Sequence, residues 1–204
     1  MKKGKMVECI QKGIAAYEVF VNKEVHYVYK KDGAYREVVL KAKKNEFMHL
    51  CGVSYLDLKT KRKVSAAHFY TLAKANKISP SFLIEKEDGT TKQKLEVIGN
   101  LADVLSPNVR VIDGQVTFYN FSFDRALRSR RQIFALSLIK EHVESSFYVP
   151  YSLLNLQTDK SNSLRKSYEV LCIYFRSRGN SDHIYYQAKE YEVENKVETK
   201  TSAL

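Results

Sequence analysis

Histidine, arginine, lysine and tyrosine are the residue types in this sequence that can hold phosphate and move protons near neutral pH. The chain has 204 residues, with 5 His, 14 Tyr and 34 Lys and Arg. Histidine titrates near neutrality and serves as a general acid or base. A metal-independent ribonuclease needs a base for the 2′-hydroxyl, a cation for the charge on the phosphorane and an acid for the 5′-oxygen. The inventory therefore favours metal-independent RNA cleavage as the first hypothesis.

His49 is the first candidate catalytic residue, because it lies in a short segment with its own start and stop signals. Asn45 is a typical residue to cap the start of a helical turn, and Gly52 is typical of the left-handed position that closes one. Lys43 and Lys44 precede the segment and are candidate RNA-binding residues. The alternative is structural: a half-buried His49 whose ring bonds a backbone carbonyl.

The second half of the chain supplies the other candidates. Four arginines within seven residues are typical of a phosphate clamp or, equally, of a solvated loop: Arg125, Arg128, Arg130 and Arg131. Tyr151 and Ser152 are candidate catalytic residues at a strand end, and Tyr148 or Tyr151 has the ring to stack on a base. The alternative is an aromatic strand packed into the core. Arg176 is a further candidate to bind RNA.

The remaining histidines and acidic residues support weaker hypotheses. His68 is also consistent with a solvent-facing position on a helix, while His26 and His183 fall in predicted strands and suit either role. A two-metal nuclease centre is disfavoured, but three carboxylates from separate strands would supply one if they converged: Asp113, Asp124 and Glu141.

No motif points to a cofactor. The sequence lacks GxxxxGK[ST], GxGxxG, GxSxG and HExxH, which sets aside nucleotide-driven enzymes and zinc proteases. Cys9, Cys51 and Cys172 are widely spaced, and the five histidines show no HxxxH pattern. Reduced thiols and no metal site are the expectation.

The net charge of +11 and the pI of about 9.4 favour a polyanionic partner. The positive surplus is spread over the body of the chain, because the last segment, 187–204, is slightly acidic. We therefore expect RNA or an RNA–protein complex as the partner. The apolar runs are too short to span a bilayer, and no secretory signal follows the basic N-terminus, so we expect a cytoplasmic protein. The oligomeric state is left open.

Apolar spacing predicts how these residues are positioned. Helices are predicted over 6–21, over 45–52, from Ser65 to Lys77, and over 91–105 with Thr90 and Gln93 as a capping box. A hairpin, 25–29 with 35–40, turns at Asp32-Gly33. Strands are predicted at the end of the chain over 109–113, 115–123, 132–139, 146–154, 167–176 and 183–190.

This order predicts an α+β fold in which N-terminal helices and a hairpin are followed by an antiparallel β-sheet. We expect one domain over residues 1–190 and a charged C-terminal tail over 191–204.

Three segments of the sequence resemble a known family in their order and spacing. Phe47–Val53, Ala66–Tyr70 and Lys77–Ser79 follow an F-x-H-L-x-G … FY … K-I-S pattern. The pattern resembles a phage-associated branch of the barnase/EndoU/colicin/RelE-like nuclease superfamily, over about residues 22–155. The resemblance implies a RelE/barnase-like fold and metal-independent RNA cleavage. The residues that fall on the pattern are His49, Gly52, Phe69, Tyr70 and Ser152.

These observations lead to three hypotheses. The first is a metal-independent endoribonuclease of a phage or mobile element, which cleaves RNA by attack of the 2′-hydroxyl and acts as a toxin or against a host-defence guide RNA. The second is a non-catalytic, anti-CRISPR-type inhibitor that binds a host nucleoprotein. The third is a structural or DNA-binding accessory protein of a phage. Cleavage separates the first from the others.

Overall fold

Helices dominate the first half of the chain and strands the second. The computed structural model describes residues 1–118, 121–129, 133–157, 166–176 and 182–191. Its helices are α1 (Lys3–Glu18), α2 (Glu46–Cys51), α3 (Ala66–Lys74) and α4 (Thr90–Val97), with 3₁₀-helices at Pro80–Phe82 and Ile98–Leu105. Its strands are β1 (Glu24–Lys31), β2 (Ala34–Lys41), β3 (Val53–Tyr55), β4 (Leu83–Glu85), β5 (Arg110–Phe118), β6 (Phe121–Arg128), β7 (Phe134–Lys140), β8 (Tyr148–Asn155), β9 (Tyr168–Arg176) and β10 (His183–Gln187). The predicted α+β class is confirmed.

The strand order of the large sheet closes on itself. In the described part of the chain it runs β1-β2-β8-β7-β6-β5-β9-β10, and β9 pairs with β1 as well as with β5. Seven strands thus form a ring to which β10 is added. An odd number of strands in a ring cannot alternate in direction throughout, so one neighbouring pair must be parallel. That pair is β2 and β8, joined at Leu40 and Tyr148. The sheet is therefore mixed, and the prediction of a purely antiparallel sheet was wrong.

The apolar stripe of α1 is buried as its spacing predicts, and the helix packs mainly on the 3₁₀-helix at Ile98–Leu105 and on the other helices. Met6, Ile10, Ile14 and Tyr17 are all buried in one large core cluster that joins the helices to the strands. A smaller cluster lies on β5 to β8 and their flanks and is formed by Ile112, Phe123, Ala126, Ala135, Leu154 and Leu156. All three cysteines are free, as expected. In the described residues, none of the helices combines the length and the apolar character that a membrane crossing requires.

Several predicted element ends are wrong, and each has a local cause. The 91–105 helix divides: α4 stops at Val97 and a tighter 3₁₀-helix continues to Leu105 through Gly99 and Asn100, which are weak helix formers. The Thr90 capping box does not form. Gly89 precedes α4 in the left-handed conformation, and the Asp88 carboxylate accepts hydrogen bonds from the N–H and hydroxyl of Thr90.

Three other expectations also need correction. Asn45 makes no side-chain cap, and the Glu46 carboxylate instead accepts a hydrogen bond of 2.6 Å from the Lys43 N–H. Gly114 does not separate two strands but lies inside β5 with φ +118°, at a register irregularity that a glycine accommodates. Helices α1 and α3 end three residues earlier than predicted. The expected tail lies outside the described residues beyond Tyr191.

Ile98 joins the 3₁₀-helix to α1, and this contact can be tested. The side chain is fully buried, so Ile98→Ala should lower the free energy of unfolding by about 2–5 kcal/mol. A Cβ added at Gly13 would lie 2.9 Å from Ile98 Cγ1. We therefore expect Gly13→Ala to destabilise the wild type, but to be neutral or stabilising beside Ile98→Ala, where its helix propensity is no longer opposed. Denaturant unfolding of the four proteins measures this; additive effects would contradict the contact.

Candidate functional site

His49 lies on the surface where α2 meets α4 and β8. The helix carrying it ends as predicted, because Gly52 takes the left-handed conformation with φ +67°. Gly52 also has no room for a side chain: a Cβ there would lie 2.9 Å from Lys94 Cδ and 3.2 Å from Thr91 Cα. The Thr91 hydroxyl donates a hydrogen bond to the Gly52 carbonyl. The end of α2 is thus fixed directly against α4.

Tyr151 reaches His49 because β8 carries one extra residue. Opposite β7, Ser137 pairs with Ser152 and Leu138 pairs with Pro150, which leaves Tyr151 as a β-bulge. Proline cannot donate to the strand ladder and is typical of such positions. The structure therefore brings together two of the predicted catalytic residues.

The His49 ring has two polar contacts, one with the Lys86 side chain and one with the backbone of Tyr151. Lys86 Nζ lies 3.4 Å from His49 Nδ1, and the ring also bonds the backbone of Tyr151. The rings of His49 and Tyr151 have centroids 6.2 Å apart. The bond to a backbone group is the feature that the structural interpretation of His49 foresaw. A contact of 3.4 Å is at the long limit of a hydrogen bond, however, so the Lys86 side of the ring is only loosely engaged.

Ser152, the third predicted catalytic residue, points to a different role. It is 8% exposed, and its carbonyl accepts a hydrogen bond of 3.0 Å from Ser137 Oγ. This bond ties β8 to β7 next to the bulge. We assign Ser152 no chemical step.

Lys94 is the functional candidate that the sequence analysis missed. It is 6% exposed, and its Nζ donates a hydrogen bond of 3.2 Å to the His49 carbonyl. No carboxylate forms a salt bridge with it in the described part of the chain. The available signal was its spacing: Lys94 stands three residues after Thr91 and four before Ile98, so it lies in the buried stripe of the helix.

Burial lowers the proton affinity of both Lys94 and His49, and Lys94 lowers that of His49 further. Burial and then the charge of Lys86 lower the pKa of Lys94 to about 8. The pKa of His49 is lowered to about 4, first because packing around the ring removes water and then because Lys94 and Lys86 are close. At pH 7 the imidazole is therefore neutral between two ammonium groups. Such a cluster is complementary to an anion and holds both a proton acceptor and a proton donor.

Two of the four arginines of the predicted phosphate clamp lie in the described residues, and they bond different partners. Arg125 bonds Asp113 at 2.7 Å, and the buried Arg128 bonds Ser167 Oγ at 2.6 Å. Arg130 and Arg131 lie outside the described residues.

The remaining candidates divide between two surfaces. Lys43 and Arg176 line the same cleft, whereas Lys44 lies near Tyr70 on a separate surface. The carboxylates of the two-metal alternative are engaged with different partners, and no group of metal-binding side chains occurs among the described residues. Each of the three has its own contact: Asp113 with Lys31, Asp124 with the Lys140 N–H and Glu141 with Lys43.

Comparison with known proteins identifies the class as nuclease-like. Residues 9–199 match the family described as phage-Barnase-EndoU-ColicinE5/D-RelE like nuclease4, and the chain belongs to this family. The match confirms the resemblance seen in the sequence. No curated protein and no solved structure matches the chain.

The burial of Lys94 leads to a prediction about the free energy of unfolding. Because burial disfavours its charge, we expect Lys94→Met to raise the free energy of unfolding at pH 7 by on the order of 1–3 kcal/mol, one pKa unit corresponding to about 1.4 kcal/mol. The unfolded lysine binds its proton more tightly than the folded one. The wild type should therefore gain stability as the pH rises from about 8 to 10.5, and the advantage of Lys94→Met should shrink over that range.

Denaturant unfolding between pH 7 and 10.5 measures both effects. Lys92→Met is the matched control, because this lysine of the same helix has a side chain that is 66% exposed. A Lys94→Met protein less stable than the wild type at pH 7 would show that the lysine has stabilising partners.

Proposed function

We propose that this protein is a metal-independent endoribonuclease with its catalytic centre at His49, Lys86, Lys94 and Tyr151. The observation that carries the proposal is the pairing of a neutral, surface histidine with a buried lysine, in a chain that belongs to a nuclease family. Perturbed proton affinities cluster at functional sites because catalysis needs an acid and a base that both act near neutral pH.

Substrate binding starts at the lysines. A phosphodiester placed between Lys86 and Lys94 pairs with two lysines that form no salt bridge within the described residues, although the Asp88 carboxylate is close enough to act on both. Lys86 then turns from His49 Nδ1 to a phosphate oxygen, which frees this nitrogen. The added negative charge also raises the pKa of His49 from about 4 toward its ordinary value, so the ring becomes a stronger base in the complex.

The chemical step is an internal transfer. His49 takes the proton of the 2′-hydroxyl, and the 2′-oxygen bonds to phosphorus. The bond from phosphorus to the 5′-oxygen breaks, and the departing oxygen takes a proton from the Lys94 ammonium. The products are a 2′,3′-cyclic phosphate and a free 5′-hydroxyl. Tyr151 positions the His49 ring through its backbone and its own ring. No metal takes part in these steps.

The biological setting is part of the proposal. The name of the family refers to phage, which supports a role in a phage or mobile element, inside the cell. A toxin and an agent against a host guide RNA both fit an endoribonuclease. The non-catalytic inhibitor stays the second candidate, favoured by the basic body of the chain.

The mechanism predicts the effect of removing the base. We expect His49→Ala to lower the cleavage rate by about 10²–10⁴-fold, while RNA binding persists because affinity comes mainly from the basic surface. The assay uses a labelled structured RNA in excess EDTA, with end-group analysis for the cyclic phosphate. His68→Ala is the matched control, since His68 is exposed on α3. The thermal midpoint of each variant checks that it is folded.

Several outcomes would decide against this mechanism. Cleavage abolished by EDTA, cleavage of DNA, or full activity in His49→Ala would each contradict it. Tight RNA binding by a wild type that does not cleave would support the inhibitor instead.

The value of kcat/KM should also fall as the pH rises above about 8, where Lys94 loses its proton.

A further inference from the structure

A cleft of about 1000 Å³ is bounded by the ends of β1, β2, β9 and β10. It is separate from the His49 cluster, because His49, Lys86 and Lys94 are not among its lining residues. Four of its lining residues are cationic: Lys23, Lys41, Lys43 and Arg176. Glu24 is the one carboxylate among the described lining residues, and it is already paired with Lys41 at 2.6 Å.

Two of these cations, Arg176 and Lys43, form ion pairs that are exposed to solvent; Arg176 also donates a hydrogen bond of 3.0 Å to the Tyr174 hydroxyl. The Arg176 side chain is 50% exposed and lies 3.4 Å from Asp182, and Lys43, which is 46% exposed, pairs with Glu141. Exposed ion pairs of this kind contribute little to stability. An incoming phosphate can therefore replace their carboxylate partners at low cost.

The lining of the cleft also includes an aromatic wall. Phe175 and His183 stack with ring centroids 6.4 Å apart, and Tyr185 meets the Phe175 ring edge-on at 5.8 Å. Tyr185 is 53% exposed, although large aromatic side chains are usually covered. Lys23 Nζ lies 5.1 Å from the centre of the Phe175 ring. An exposed aromatic surface beside a row of cations is the arrangement on which single-stranded nucleic acids bind, with bases stacked and phosphates neutralised.

We propose that this cleft binds a single-stranded segment of the RNA substrate outside the catalytic centre. Phosphates contact Lys43 and Arg176, and a base stacks on Tyr185. A duplex is a poor fit, because its bases are already stacked on one another and cannot use the aromatic wall. The inference rests on the proposed function in taking RNA as the ligand, but its test requires no cleavage.

The experiment measures binding of a labelled ten-nucleotide 2′-O-methyl oligouridylate, which lacks the attacking hydroxyl and cannot be cut. Tyr185→Ala should weaken binding by about 5- to 150-fold, the range expected for one lost base stack, whereas Tyr185→Phe should bind like the wild type. The double variant Lys43→Ala, Arg176→Ala should reduce the slope of log affinity against log salt by about 1.4, or 0.7 for each lost phosphate contact.

The matched control removes the same charge elsewhere. Lys59 and Lys92 are exposed lysines outside the cleft, and Lys59→Ala, Lys92→Ala should leave the slope near the wild-type value. Thermal midpoints verify that every variant is folded. Equal slopes in the two double variants, unchanged affinity in Tyr185→Ala, or tighter binding of a duplex of the same length would overturn the proposal.

The test separates this inference from the proposed function. If the wild type binds the oligonucleotide through Tyr185 and Arg176 but cleaves no RNA, the RNA-binding cleft is supported and the endoribonuclease function is contradicted. If the wild type cleaves RNA while the cleft variants bind normally, the endoribonuclease function is supported and the RNA-binding cleft is contradicted.

Discussion

The parallel pairing of β2 with β8 is the constraint on which the arrangement of the site depends. The hydrogen-bonded ring has an odd number of strands, so one pair of neighbours must run in the same direction. Because β2 has β8 as its neighbour, the chain that leaves β2 enters α2 beside β8. His49 of α2 thereby meets Tyr151 of β8, although about a hundred positions separate them in the sequence. A β2 strand at an open edge would leave His49 without this partner.

A close contact between α2 and α4 sets the electrostatics of the same site. Because Gly52 has no Cβ, the end of α2 can lie close to Thr91 and to the Lys94 side chain. A Cβ at this position would be 2.9 Å from Lys94 Cδ and 3.2 Å from Thr91 Cα. The approach buries the lysine and leaves the His49 carbonyl as its hydrogen-bond acceptor. Burying an ammonium group without a carboxylate is unfavourable, and proteins retain such groups mainly at functional sites. One glycine thus determines both the packing of two helices and the proton affinity of the candidate acid.

Local patterns in the sequence predicted the elements that depend on neighbours in the chain. The α1 stripe, the hairpin at Asp32-Gly33 and the glycine closure of α2 all follow from spacing within about ten residues. The closure of the seven-stranded sheet and the bulge at Tyr151 depend on pairing between strands that are distant in the sequence. No local pattern therefore predicts them. Lys94 was overlooked because lysine is normally exposed even on an amphipathic helix. The arginine cluster shows a related effect: β6 gives Arg125 and Arg128 different partners and different burial, whereas the sequence shows only a dense run of charge.

The two pKa shifts acquire a common explanation when the ligand is an anion. Burial disfavours a proton on both His49 and Lys94; Lys94 and Lys86 add to the effect at His49, and Lys86 adds to it at Lys94. In the proposed complex, a phosphodiester opposes these shifts, since its charge favours every proton in the cluster. Under the proposed mechanism the effect is larger when negative charge accumulates at phosphorus during attack, so the same lysines would interact more strongly with the transition state than with the bound substrate. Interactions that grow in this way accelerate a reaction, whereas equally strong binding of substrate and transition state does not. A histidine and a buried lysine that both disfavour their protons therefore support the proposed catalytic centre more than they support a site that only holds two helices together.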